Sequence, residues 1–149
     1  MLEINVYVSG SCRGNPGLGG FACIMSAKGK ERQILGSCKK ATTCDRMVLS
    51  GCENVVQWCN KVQKEPCKII FHVKSSSILH CSKKTVGELI DKNRANHDLW
   101  NGIIRKKWAG NHTLVFVKAD DEDNLTLKDK ATRLAREQAV RASHEVLTR

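Results

Sequence analysis

The chain has 149 residues, of which 41% are hydrophobic and 27% charged, and its formal net charge is +10. That length fits a single domain, residues 1–149, that buries a core without disulfide or metal staples. No apolar stretch approaches the roughly 20 residues a membrane span needs, so a membrane partner is excluded, and the positive excess favours polyanions, above all nucleic acid.

Ile4 to Ser9 alternates apolar and polar residues, the period of a strand with one buried face. Gly10 to Gly20 holds five glycines and Pro16, which predicts a turn-rich segment. Phe21 to Ser26 and Gln33 to Ser37 predict two further strands around the turn at Lys28-Gly29-Lys30, giving an antiparallel meander. A helix follows: Thr42-x-x-Asp45 has the form of a capping box, and Val48, Cys52, Val55, Cys59 and Val62 recur at helical spacing up to a stop at Pro66. Lys68 to Val73 predicts a buried parallel strand. Ser75 to Lys84 and Thr85 to Lys92 predict short helices, and Asp98 is the expected cap of another that turns Trp100, Ile103 and Ile104 inward. Thr113 to Lys118 is the fifth strand, and Thr126-x-x-Asp129 opens a long helix expected to turn Ala131, Leu134, Ala135, Ala142 and Val146 inward. The expected architecture is α/β, a mixed five-stranded sheet with three antiparallel strands, then parallel ones, flanked by helices.

Eight cysteines fall between Cys12 and Cys81 with no C-x-x-C pair, and Cys23, Cys52 and Cys59 sit on apolar faces as small core residues. They are read as free thiols of a cytoplasmic protein. Neither His72 nor His80-Cys81 has a zinc-finger spacing.

Val8-Ser9-Gly10-Ser11-Cys12-Arg13-Gly14-Asn15-Pro16-Gly17-Leu18-Gly19-Gly20 resembles the opening motif of type 1 ribonuclease H, an aspartate followed by glycine, serine and G-N-P-G-x-G-G. Thr42-Thr43-Cys44-Asp45-Arg46-Met47-Val48 resembles its T-T-N-N-R-M-E, Asn96 to Trp100 its N-x-D-L-W, and Ala131-Thr132-x-Leu134-Ala135 its A-D-x-L-A. The resemblance spans nearly the whole chain and implies the ribonuclease H-like fold.

The same resemblance implies hydrolysis of the RNA strand of an RNA–DNA hybrid by two Mg²⁺ ions held on four carboxylates. At the four motif positions this chain has Ser9, Val48, Lys74 and Thr132. Valine cannot ligate, and lysine brings a positive charge to the place of the metals. The expectation is therefore a chain that is not an enzyme, with no Mg²⁺ or other cofactor and no catalytic residue. Two roles are open to the Lys74 ammonium, pairing with phosphate or pointing to solvent. The acidic run Asp120 to Asp123 is read as a solvated loop, since ligands from one loop cannot clamp two ions across a cleft.

For binding, the resemblance assigns nucleic-acid contacts to Ser11, Cys12, Asn15 and Thr43, to which the basic side chains Arg13, Lys39 and Lys40 add phosphate contacts. Asp45, in place of an asparagine, either repels phosphate or serves the helix N-terminus. The leading expectation is an inactive ribonuclease H-like module that binds nucleic acid, an RNA–DNA hybrid or another duplex, or else a protein partner. The competing ones are a divergent metal-dependent ribonuclease H that cleaves the RNA strand of hybrids, and a structural or protein-interaction subunit that binds no nucleic acid.

Overall fold

A computed structural model describes residues 1–14, 16–119 and 125–147. In chain order the elements are β1 (Leu2–Arg13), β2 (Gly17–Ala27), β3 (Lys30–Thr42), α1 (Cys44–Val62), β4 (Cys67–Val73), α2 (Ser76–Cys81), α3 (Val86–Leu89), α4 (His97–Gly110), β5 (Thr113–Lys118) and α5 (Leu125–Leu147). The strands form one mixed sheet in the order β3-β2-β1-β4-β5. β1 pairs antiparallel with β2 and parallel with β4, and β5 extends the parallel half.

Alternation along β1 divides the core. Ile4, Val6 and Val8 face α1 and α4 in the larger apolar cluster, with Leu49, Val56, Trp100 and Ile103. Tyr7 faces the other way, with Ile24 and Ala131 of α5. β4 repeats the pattern: Ile69, Phe71 and Val73 lie in the larger cluster, while the His72 ring stacks on Tyr7 with centroids 4.5 Å apart. Cys23, Cys52 and Cys59 are fully buried, as their place on apolar faces predicts.

The glycine-rich segment is mostly strand, contrary to its turn-rich appearance. Cys12 pairs with Gly19 and Arg13 with Leu18, so the reversal is confined to the few residues after Arg13. Most of these glycines are there for close approach. A Cβ at Gly10 would stand 2.6 Å from the Cys44 carbonyl oxygen, and one at Gly19 would stand 2.6 Å from the Thr42 methyl, both on the α1 side. A Cβ at Gly20 would overlap the Ala139 backbone on the α5 side. Backbone freedom matters at Gly14 and Gly29, with φ of 92° and 74°. Lys28 and Gly29, both at positive φ, make the two-residue turn whose twist suits a hairpin.

Three other expectations shift. The cap of α1 is Thr43, whose hydroxyl accepts from the Arg46 N–H, while Thr42 is a buried residue at the end of β3. The helix stops at Val62 because Gln63 turns extended, before Pro66 can act, and Val62 is half exposed. Asp98 does not cap α4; the cap position is Asn96, in the left-handed region and without a side-chain bond, and Asp98 is used elsewhere.

One polar cluster ties the helical layer to the sheet. The buried His112 accepts the Cys67 backbone N–H at Nδ1 (3.0 Å) and faces Asn60 Oδ1 through Nε2 (2.7 Å). Asn60 in turn donates to the Lys106 carbonyl of α4. Because Nδ1 accepts, the ring must be neutral, and burial holds its pKa below the ordinary 6.5.

Two tests follow from this packing. Gly20→Ala should lose about 3 kcal/mol by urea denaturation, because helix backbone cannot yield to the new methyl, whereas Gly29→Ala, with open space around it, should lose only about 1 kcal/mol to positive φ. The unfolded chain binds its proton at His112 more readily than the folded one. The stability this residue contributes is thus complete above the unfolded-state pKa and is lost as pH falls through the lower folded-state value. Urea midpoints measured between about pH 7.5 and 5.5 should decline, and His112→Gln should remove that component of the decline.

Candidate nucleic-acid interface

The four motif positions meet where β1 and β4 run side by side. Two residues beyond the registered pair Tyr7 and His72 come Ser9 on β1 and Lys74, which directly follows β4. Lys74 Nζ donates to Thr132 Oγ1 of α5 at 3.1 Å, and that hydroxyl donates in turn to the Lys128 carbonyl at 3.1 Å. Val48 approaches the same stretch of β1 from α1, buried against Gly10. Two neutral hydroxyls, a valine methyl and an ammonium do not make the hard, anionic oxygen cage that Mg²⁺ requires, so these residues do not fit the ion pair the motif implies. Among the described residues, no group of three or more His, Cys, Asp or Glu side chains is arranged to hold a metal.

A second set gathers at the adjoining edge. Ser11, Cys12 and Arg13 end β1, and Lys39 and Lys40 lie near the end of β3. The register that pairs Cys12 with Gly19 and Gly19 with Cys38 brings the two strand ends together across a glycine. Thr43 opens α1 directly after β3. Ser11, Cys12, Arg13, Lys39, Lys40 and Thr43 therefore share one end of the sheet, with Arg13, Lys39 and Lys40 exposed. Asn15 and the acidic run 120–123 lie outside the described residues.

Asp45 lies in the first turn of α1 and does more than serve its own helix. Its carboxylate accepts from Ser75 Oγ at 2.9 Å, and the same Ser75 oxygen caps α2 by accepting from the Ile78 N–H. This chain of bonds fastens the start of α1 to the loop after Lys74. Arg46, one residue on, grips Asp98 through both guanidinium nitrogens (3.0 and 2.7 Å) and reaches Asn96 at 3.3 Å. The guanidinium bonds hold the Asp98 carboxyl down at about 2. With the carboxylate about half exposed, the pair contributes at most about 1 kcal/mol, and its main effect is to set α4 against α1. Sequence reasoning missed both links; for Arg46 and Asp98, a base and an acid in two of the motifs were the available signal.

Three thiols also converge at this end. Cys12 Sγ points to the Thr42 carbonyl at 3.7 Å, and its pKa is pushed up to about 12 by burial, then by the neighbouring Cys44 and Cys38. Cys12 is therefore a neutral thiol at any physiological pH.

Comparison with known proteins gives the arrangement a family. No family model matches the chain. Ribonuclease HI of Helicobacter pylori strain J99 is 30% identical over 142 residues, covering 93% of this chain and 94% of that protein. The chain belongs to the ribonuclease H family. Ribonuclease H of Thermoanaerobacter sp. strain X514 is 29% identical over 151 residues, covering 95% and 93% of the two chains. Among solved structures, the N-terminal ribonuclease H domain of a Mycobacterium tuberculosis protein, fused to maltose-binding protein, shares the fold with a TM-score of 0.70 and 14% identity, covering 98% and 99% of the two chains. The structure of LC11-RNase H1 in complex with RNA/DNA hybrid matches with a TM-score of 0.67 and 20% identity, covering 93% and 98%.

Membership in this ribonuclease H family corrects one expectation. The four substituted positions led to the reading that the chain is not an enzyme, whereas curated relatives at 25–30% identity over most of its length are ribonucleases H. The substitutions bear on four positions, whereas the similarity extends over more than nine-tenths of the chain.

Thiol accessibility checks the geometry of this edge. With limiting iodoacetamide at about pH 8, peptide mapping should find the exposed Cys44 alkylated ahead of Cys12, with buried Cys23 and Cys52 last. Alkylation of Cys12 before Cys44 would contradict the packing around Gly19.

Proposed function

We propose that this member of the ribonuclease H family binds RNA–DNA hybrids along the end of the sheet that carries Ser11, Cys12, Arg13, Lys39, Lys40 and Thr43. The carrying observation is the 30% identity to ribonuclease HI of Helicobacter pylori across more than nine-tenths of both chains. The geometry supports it: hydroxyls and exposed cations are gathered at one edge of a chain of net charge +10, and clustered cations favour a phosphate backbone. Asn15, in the same motif, belongs to this proposed face by its place in the sequence. The eight free thiols suit a reducing compartment, which makes the cytoplasm the proposed location. No helix among the described residues is long and apolar enough to cross a membrane.

Hydrolysis of the RNA strand is the second reading, favoured by the name its curated relatives share. No hydrolytic step is assigned to Ser9, Val48, Lys74 or Thr132, since none of them brings a carboxylate.

A short fluorescein-labelled hybrid, titrated with the protein at several salt concentrations, tests the binding. Expected is saturable binding, tighter than to double-stranded DNA of the same sequence, with log affinity falling linearly against log salt. No binding at low salt would overturn the proposal and favour a protein-interaction subunit. The same hybrid with labelled RNA, incubated with Mg²⁺ or Mn²⁺, tests hydrolysis: fragments of the RNA strand are expected, and intact RNA at saturating protein would overturn the second reading alone.

A further inference from the structure

The mismatch between the four motif positions and a divalent ion has a positive side, and it centres on Lys74. Several placed cations are matched by carboxylates: Lys106 by Glu53 at 2.6 Å, Lys130 by Glu31 at 2.8 Å, Arg46 by Asp98 at 2.7 Å and Lys68 by Glu3 at 3.3 Å. No ion pair joins Lys74 to a carboxylate among the described residues. Among the described residues its ammonium is bonded only to a neutral oxygen, Thr132 Oγ1. Asp45 in the first turn of α1 spends its carboxylate on Ser75, and no ion pair joins it to Lys74.

The bond to Thr132 is also directional. The threonine hydroxyl commits its proton to the Lys128 carbonyl within α5, so it can only accept from Lys74. That ties the lysine head, at the end of β4, to α5. An ammonium has three donors, and one is used; the side chain is exposed, so the other two face outward. A charged donor held in place with its charge unneutralised is what a phosphate oxygen takes, and it lies near the basic edge that carries the proposed hybrid.

We infer that Lys74, positioned by Thr132, binds a backbone phosphate of the nucleic acid directly, so that the hybrid is engaged without a divalent ion. This rests on the hybrid-binding reading and deepens it: a fixed monovalent cation occupies the place where the family motif implies metal ions. Ser9, two residues beyond the registered pair Tyr7 and His72, supplies a hydroxyl on the β1 side of the site, while Thr132, its proton committed to Lys128, only holds the lysine. Val48 keeps the α1 side of the site apolar.

The test measures affinity rather than turnover. The labelled hybrid is titrated with wild type, Lys74→Ala, Lys74→Glu and Lys74→Arg, each in Mg²⁺ and in EDTA, across a salt series. Wild type should bind equally well in both buffers. Lys74→Ala should lose roughly tenfold in affinity, and the magnitude of its log–log salt slope should drop by about 0.9, the signature of one phosphate contact removed. Lys74→Glu should lose more, and Lys74→Arg should retain most of the affinity. Lys74 is exposed, so these variants should melt like wild type, which thermal denaturation checks. Wild-type affinity and slope in Lys74→Ala, or wild-type binding that vanishes in EDTA, would overturn the inference and leave the hybrid-binding reading standing. Failure of wild type to bind hybrid in any buffer would overturn both.

Discussion

The central constraint on this molecule is that β1 has helices on both faces while serving as the strand about which the sheet changes direction. β2 runs against it and β4 runs with it. Helix α1 comes so close on one face that Gly10 and Gly19 have no room for a side chain, and α5 comes as close to Gly20 on the other. In α1 itself, Gly51 would place a Cβ 2.8 Å from the Cys23 sulfur. Helix and sheet are therefore in backbone-range contact over the first part of β2 and the last part of β1. A core this dense transmits position: a helix that cannot move relative to the sheet holds its own side chains at set points over the strand ends.

That fixed distance determines what the site can be. Val48 on α1 and Thr132 on α5 approach the Ser9 end of β1 from opposite sides, and Lys74 enters from β4. Four carboxylates so close together would need metal ions to balance their repulsion. With an ammonium, two hydroxyls and a methyl, no such balance is required, and the Lys74–Thr132 bond closes the gap between β4 and α5. Among these four side chains the one formal charge is the Lys74 ammonium.

Around it, polar links set the helical layer with little energy and much geometry. The Arg46–Asp98 fork joins the starts of α1 and α4, Asp45 with Ser75 joins α1 to the loop after β4, and His112 with Asn60 joins α1, β4 and the α4–β5 turn. The first two are partly exposed and individually weak. Their value is that each fixes one helix start relative to another, on the side of the molecule that carries the proposed interface.

Much of this was determined by the sequence itself. Alternation in Ile4 to Ser9, the apolar run before Lys74 and the helical recurrence of Val48, Cys52, Val55 and Cys59 follow from which faces must be buried, and burial is a local, periodic property. The motifs carried the family. What only the tertiary structure decided depends on residues distant in the chain. The glycines read as a turn, since a residue with no side chain looks alike in a turn and under a helix; only the approach of α1 and α5 shows that most of the segment is strand. Asp98 looked like a cap because its partner, Arg46, is 52 residues away. Lys74 was equally open to phosphate or solvent until Thr132, 58 residues on, was seen to hold it. Sequence spacing reports the periodicity of one element at a time; the pairing of charges, hydroxyls and close backbones arises only where two elements meet.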